Sequence, residues 1–211
     1  MIRLTPDRQS KRGTLWNTVP WNPPREDKKG YFEIVFEFHV HGQGTKLYGD
    51  GLALWYTRRV HQPGPVFGSA DHFDGLGIMF DTYSNVQQGH SQYISVIFGD
   101  GKTGYEHDKD GGDAKLAGCA VDFRGQKMDV KIIYDKEMLR MYTGKPNEGW
   151  EECFIVRRVF LTFGLGLVMG AMRRARGPGV GYWLGSSAVH ARCGHLCAKA
   201  PRSSWATCLS C

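Results

Sequence analysis

No stretch of the 211 residues could cross a bilayer as a helix. The longest apolar run, Val159 to Met172, has about 14 residues and is rich in glycine, short of the ~20 a spanning helix needs. Met1 leads directly into Ile2-Arg3-Leu4-Thr5-Pro6-Asp7, without the apolar centre of a secretory leader. Sustained helical periodicity and internal repeats are also missing, which excludes bundles and solenoids. So are Gly-x-Ser-x-Gly, a P-loop and His-Glu-x-x-His, and with them the commonest hydrolase, nucleotide-binding and metalloprotease signatures. Glu33 and Glu37 share a strand face, but four residues at ~3.3 Å rise set their backbones about 13 Å apart. Paired glycosidase carboxylates stand about 5–9.5 Å apart. Enzymatic activity is not expected.

Acid is missing from one end of the chain. All 21 acidic residues and 21 of the 27 basic ones fall within residues 1–159. The excess of +6 therefore belongs to Arg173, Arg174, Arg176, Arg192, Lys199 and Arg202. A localised cationic tail is weak evidence for nucleic acid or an anionic membrane surface and none for what the domain binds, so no nucleic-acid partner is expected. Cysteine divides at the same place: only Cys119 and Cys153 lie in the body, whereas Cys193, Cys197, Cys208 and Cys211 crowd the end. Two buried thiols or one bridge would both suit the first pair. The tail spacings Cys193-x3-Cys197 and Cys208-x2-Cys211, with His190 and His195, loosely match zinc ligands, as short cysteine-containing tails often do. The composition divides the chain into a domain at 1–160 and an Arg-, Gly- and Cys-rich tail at 161–211.

What is present is strand. Tyr31 to His41 alternates, with Phe32, Ile34, Phe36, Phe38 and Val40 on one side and Glu33, Glu37, His39 and His41 on the other. Leu52 to Thr57 is continuously apolar, as a sheet strand covered on both faces would be. Further strands are predicted at Leu76–Thr82, Tyr93–Gly99, Cys119–Phe123, Asp129–Tyr134, Met138–Tyr142 and Cys153–Leu161. Loops are predicted at Pro20–Lys29 and His61–Asp74. Short strands with turn punctuation imply an all-β chain folded as an antiparallel β-sandwich, with an irregular tail. Trp55, Tyr56 and Phe67 could stack on a pyranose, but Trp55, in a continuously apolar strand, fits the core better.

Three stretches set oxygen-bearing side chains beside turns at strand ends: Gly49-Asp50-Gly51, Asp81-Thr82-Tyr83-Ser84-Asn85 and Glu106-His107-Asp108-Lys109-Asp110. Asp81 and Asn85 share a strand parity with the Tyr83 carbonyl between them, and Asp110 could add a second carboxylate. Calcium takes 6–8 oxygens and suits such a set. An Asx turn at a strand end is the plainer reading of the same spacing. Asp108 to Asp113 is no EF-hand, because Cys119 stands where its twelfth-position glutamate belongs.

Together these stretches resemble the leguminous-type lectins of the early secretory pathway, the vesicular integral-membrane cargo receptors. The resemblance also rests on Arg3-Leu4-Thr5-Pro6-Asp7, Leu15-Trp16-Asn17, Leu52-Ala53-Leu54-Trp55-Tyr56-Thr57, Pro63-Gly64-Pro65-Val66-Phe67-Gly68, Tyr93-Ile94-Ser95-Val96 and Leu116-Ala117-Gly118-Cys119. It covers about residues 2 to 160. It implies a concanavalin-like jelly roll, and calcium held by Asp81, the Tyr83 carbonyl, Asn85 and Asp110. Mannose would bind Asp50 and Asn85, helped by Ser10 and His107. It further implies a cis Gly49–Asp50 peptide and a Cys119–Cys153 disulfide. High-mannose glycans of glycoprotein cargo are the implied partners, in the lumen of the endoplasmic reticulum, the intermediate compartment and the Golgi. Relatives carry a signal peptide, strands ahead of this start and a membrane anchor, none of which is expected in this chain. They also carry a Gly-Asp-Leu loop that closes over the sugar. The chain has none beyond Leu161, so a degenerate member that contacts proteins instead is the alternative.

Overall fold

Alternation along Tyr31–His41 produces a strand of 11 residues that turns every second side chain inward. Around it, the computed structural model describes residues 2–8, 10–16, 31–44, 49–59, 62–85 and 92–161, with the backbone of four short strands further on. The strands are β1 (Ile2–Thr5), β2 (Arg12–Trp16), β3 (Tyr31–His41), β4 (Gly51–Thr57), β5 (Pro63–Val66), β6 (Asp74–Asp81), β7 (Tyr93–Asp100) and β8 (Lys115–Ala120). They continue as β9 (Lys127–Asp135), β10 (Met138–Gly144), β11 (Glu151–Arg157), β12 (Leu167–Met172), β13 (Ala188–Arg192), β14 (Leu196–Ala198) and β15 (Thr207–Leu209). Two six-stranded sheets result, in the orders β1-β13-β3-β9-β10-β11 and β2-β12-β4-β6-β7-β8, with β14 and β15 as a separate pair. The β-sandwich expected from the strand pattern is thus present.

The inner faces pack Phe32, Phe36 and Phe38 of β3 against Leu52 and Leu54 of β4, Ile78 and Phe80 of β6, and Val130 and Ile132 of β9. Every residue of β4 is buried, because a second cluster covers its other face. There Ala53, Trp55 and Met79 meet Val66, Phe67 and Phe73 from the 63–73 region. This double covering explains the unbroken apolar run, and it places Trp55 in the core, edge-on to Phe73 at 4.8 Å. Phe80 is fully buried and packs edge-on against Phe36, Phe38 and Phe123. Phe80→Ala is expected to lose about 3–5 kcal/mol, measured as a lower urea midpoint at unchanged slope.

The structure departs from the sequence expectation in four places. The strand expected at Cys119–Phe123 is β8, which starts at Lys115; it is an edge strand with mixed exposure, so its apolar pattern is blurred. The 61–74 stretch contains β5, whose Pro and Gly content hides it. β1 and β2 are too short and polar to be seen in the pattern. Beyond Leu161, β12 pairs with both β2 and β4, and β13 with both β1 and β3, so strand backbone follows where an irregular tail was expected. The Pro20–Lys29 loop lies outside the described residues, as do the side chains of the tail's cysteines and of His190 and His195.

Candidate functional site

Register decides which loops meet. Gly51 pairs with Asp81 across β4 and β6, so the turn before β4 and the turn after β6 leave the sheet at the same end. Gly51, at φ 136°, allows this contact: a Cβ there would lie 2.0 Å from the Phe80 carbonyl oxygen. The Thr82 amide then donates to the Asp50 carbonyl at 2.9 Å and ties the two turns together. The Gly49–Asp50 peptide is cis, as the resemblance implied.

The third loop returns from the far end of β7. Asp110 and Gly111 both have positive φ, which turns the chain between the short 3-10 helices His107–Lys109 and Gly112–Ala114. Asp110 thereby reaches the β6 end. Its Oδ2 accepts from the Asn85 amide at 2.8 Å and from the Ser84 hydroxyl at 3.1 Å, and its Oδ1 accepts from Asn85 Nδ2. Asn85 Nδ2 also donates to the His107 carbonyl at 3.0 Å. Asp81 Oδ1 accepts from the Tyr83 amide at 2.8 Å, so the plain Asx turn is present within the larger arrangement.

Electrostatics join the remaining members. Burial pushes the Asp81 carboxyl well above the usual carboxylate range, the Tyr83 amide opposes this, and the charges of Asp110 and Asp50 reinforce it. Tyr105 packs edge-on against Phe67 and His107, and its phenol is raised by burial and then by Asp81, Asp110 and Asp50. Asp50, Asp81, Asn85, Asp110 and the His107 main chain are therefore drawn together. His107 meets Asn85 through its carbonyl, while its ring lies against Tyr105. Ser10 is exposed in the β1–β2 turn at φ 52°, and the hydrogen bonds that gather the others do not reach it.

Sequence reasoning missed Ser84, Tyr105 and Asp71. Ser84 lies inside the quoted Asp81–Asn85 motif and could have been found there. Asp71 Oδ1 accepts the Tyr105 amide at 2.7 Å from 34 residues away, and no local pattern announces such a contact.

Among the described residues, no three carboxylate, imidazole or thiol side chains form a cluster able to hold a metal. The expected calcium set needs only two carboxylates, Asp81 and Asp110, with an amide and a main-chain oxygen. The donor chemistry fits a hard cation. Oxygen is the common element, and a buried carboxylate facing two further acids carries negative charge that a divalent ion would offset.

Comparison with known proteins identifies the family. The legume-like lectin family model matches residues 1–173, past the boundary expected near 160. The VIP36-like protein of Mus musculus is 42% identical over 164 residues, covering 72% of this chain and 44% of its own length. Vesicular integral-membrane protein VIP36 of Homo sapiens is 41% identical over 174 residues, covering 77% of this chain and 46% of its own. The chain thus spans a little under half the length of these curated relatives. Among solved structures, the Ca2+/Man-bound form of the VIP36 exoplasmic/lumenal domain matches with a TM-score of 0.78 at 36% identity, covering 90% of this chain and 75% of that one. The expected Cys119–Cys153 bridge is formed. Fold, bridge and family match lead to one conclusion: the chain belongs to the legume-like lectin family.

Proposed function

We propose that the chain binds mannose-rich N-glycans of glycoprotein cargo in a calcium-dependent manner, as a lectin of the endoplasmic reticulum, the intermediate compartment and the Golgi. The observation that carries this reading is the meeting of Asn85 and Asp110 beside Asp81 and Asp50 at one strand end. The reading is supported by a family relative, VIP36, whose lumenal domain has been solved with Ca2+ and mannose.

Asp81, the Tyr83 carbonyl, Asn85 and Asp110 would hold the calcium, with His107 beside them. Bound calcium supplies positive charge that offsets the clustered carboxylates and fixes the loops. The rest of the work falls to this chain's own groups. The Asp50 carboxylate accepts from sugar hydroxyls, and Asn85 offers a carboxamide alongside it, with Ser10 and His107 assisting. Adjacent hydroxyls on one pyranose suit such a fixed pair, and loops already held in place lose little further entropy on binding.

A glycan array with and without chelator tests the reading. Mannose-rich glycans should be retained with calcium and released without it. Asp50→Ala should remove mannose binding while calorimetry still detects calcium; loss of both would contradict this division of labour. A protein-contact role is the second reading, favoured by the absence of Gly-Asp-Leu beyond Leu161. It would be preferred if the calcium-saturated protein retained no glycan.

A further inference from the structure

Two loops carry the groups assigned to sugar binding, and one short segment holds an end of each. The first loop leaves β3 after His41 and leads to Asp50; the second leads from Asn85 to Gln92, just before β7. Tyr93 pairs with Asp81 across β7 and β6, so Gln92 stands at the same sheet end as Asp81. The holding segment is Phe123-Arg124-Gly125. Phe123 is fully buried and edge-on to Phe38 and Phe80, which roots the segment in the core. One nitrogen of the Arg124 guanidinium donates to the Gly42 carbonyl at 3.1 Å and to the Gly44 carbonyl at 2.6 Å. The Gly125 amide donates to the Val40 carbonyl at 2.8 Å, at the foot of the same loop. Gln92, buried at 8% exposure, accepts through Oε1 from the amides of Phe123 at 2.9 Å and Arg124 at 2.6 Å. From the β1–β2 turn, Asp7 Oδ2 accepts the Gln43 amide at 3.3 Å.

We propose that Arg124 is a positioning residue of the sugar site: it fixes the start of the Asp50 loop to the segment that also holds the end of the Asn85 loop. The inference rests on the mannose reading above for its ligand, while the loop clamp itself can be measured without sugar. A guanidinium bond to a carbonyl is charge-assisted, and the planar guanidinium sets the direction of both acceptors. Gln92 supplies an acceptor to two amides that would otherwise lose theirs, at the cost that a buried unpaired donor carries. Asp50 lies six residues beyond Gly44. A loop tethered that close to Asp50 is partly ordered before the sugar arrives, so less freedom is lost on binding. The calcium set is held differently, by the bonds between Asn85 and Asp110. Sugar affinity should therefore depend on Arg124 more than calcium affinity does.

Mannose and calcium titrations of the full chain, with amide hydrogen exchange of the calcium-saturated protein, test the clamp in Arg124→Met and Arg124→Lys. If releasing the clamp leaves about one tenth of the Asp50 loop in its binding arrangement, Arg124→Met raises the mannose Kd about tenfold. Calcium affinity should change little, and exchange should quicken across residues 42–50 but not in β4 or β6. Arg124→Lys keeps the cation without the planar fork and should fall between Arg124→Met and the wild type in both readouts. The inference is overturned if Arg124→Met binds mannose as the wild type does, if it loses calcium in equal measure, or if the lysine variant recovers nothing. Should Arg124→Met not fold, an Arg124→Lys protein equal to the wild type in mannose affinity and exchange overturns it. A wild-type chain that takes up no mannose defeats the mannose reading instead; quickened exchange across 42–50 in Arg124→Met then still supports the clamp, and unchanged exchange overturns it.

Discussion

Asp81→Ala should abolish calcium binding, and mannose binding with it. Asp81 is 8% exposed and stands against the charges of Asp110 and Asp50, so its ionised form is stabilised by the Tyr83 amide and, more weakly, by the charge of Lys115. A divalent ion would change that balance, and an alanine would remove one of its two carboxylate ligands. The sign of the stability effect separates this role from ordinary packing. Asp81 has a folded-state pKa above its unfolded value, so without metal its contribution to stability is fully present below pH ~3.8 and is lost as pH rises through the folded-state pKa. At pH 7 the calcium-free Asp81→Asn variant, which sheds the charge and keeps an acceptor for Tyr83, should therefore melt above the calcium-free wild type. With calcium at ~100 times its Kd the order should reverse, because the wild type gains about 2.7 kcal/mol from the ion. Acidification should shrink that gain, since protons compete for the same carboxylate. An Asp81→Asn variant that melts below the wild type in both states would make Asp81 a structural residue only.

Much of the sandwich could be read directly because its rule is local. Side chains two apart share a face, and Phe32 to Val40 follow that rule without a break. The strands hidden from such reading are hidden for physical reasons. β8 lies at a sheet edge, where one face packs and the other is wet, and β5 is built from Pro-Gly-Pro-Val. β12 and β13 lie in sequence whose composition gives no strand signal beyond Leu161, yet they pair between β2 and β4 and between β1 and β3.

The site was legible in part. Asp81, Tyr83 and Asn85 share one motif, so their proximity follows from chain connectivity. Asp110 joins them from 25 residues away because of three consecutive positive-φ residues, Asp110, Gly111 and Gly112, and only the glycines suggest such a turn beforehand. The resemblance supplied what spacing could not: the contribution of Asp50, the cis peptide at Gly49–Asp50 and the pairing of the cysteines. It also assigned a sugar-binding role to Ser10, which the hydrogen bonds that gather the other site residues among the described residues do not reach. The Asp71 anchor of the Tyr105 loop had no signal at all, because a carboxylate that accepts a distant amide looks in sequence like any surface aspartate.

The double variant Cys119→Ser, Cys153→Ser should lose about 3–4 kcal/mol of stability. The bridge closes a loop across a sequence separation of 34, for which chain entropy predicts that magnitude. Topology explains why the loss should be felt. β8 ends one sheet and β11 ends the other, so the bridge joins two sheets at the edge they share. The strand ladders run within each sheet and not between them, which leaves this edge to the bridge, to the buried Phe154 of β11 and to the half-buried contacts of Cys119, Cys153 and Val156 with the core. At roughly 2–4 °C per kcal/mol for a chain of this size, the melting temperature should fall by about 6–16 °C. Both cysteines are replaced together so that neither member of the bridge is left behind as a lone thiol. Calcium affinity of the folded variant should change little, because Asn85 and Asp110 are held by hydrogen bonds to each other that do not involve the bridge. A melting temperature within 2 °C of the wild type would mean that packing alone holds the edge; a lost calcium site in a still-folded variant would mean that the bridge positions the loop before β8.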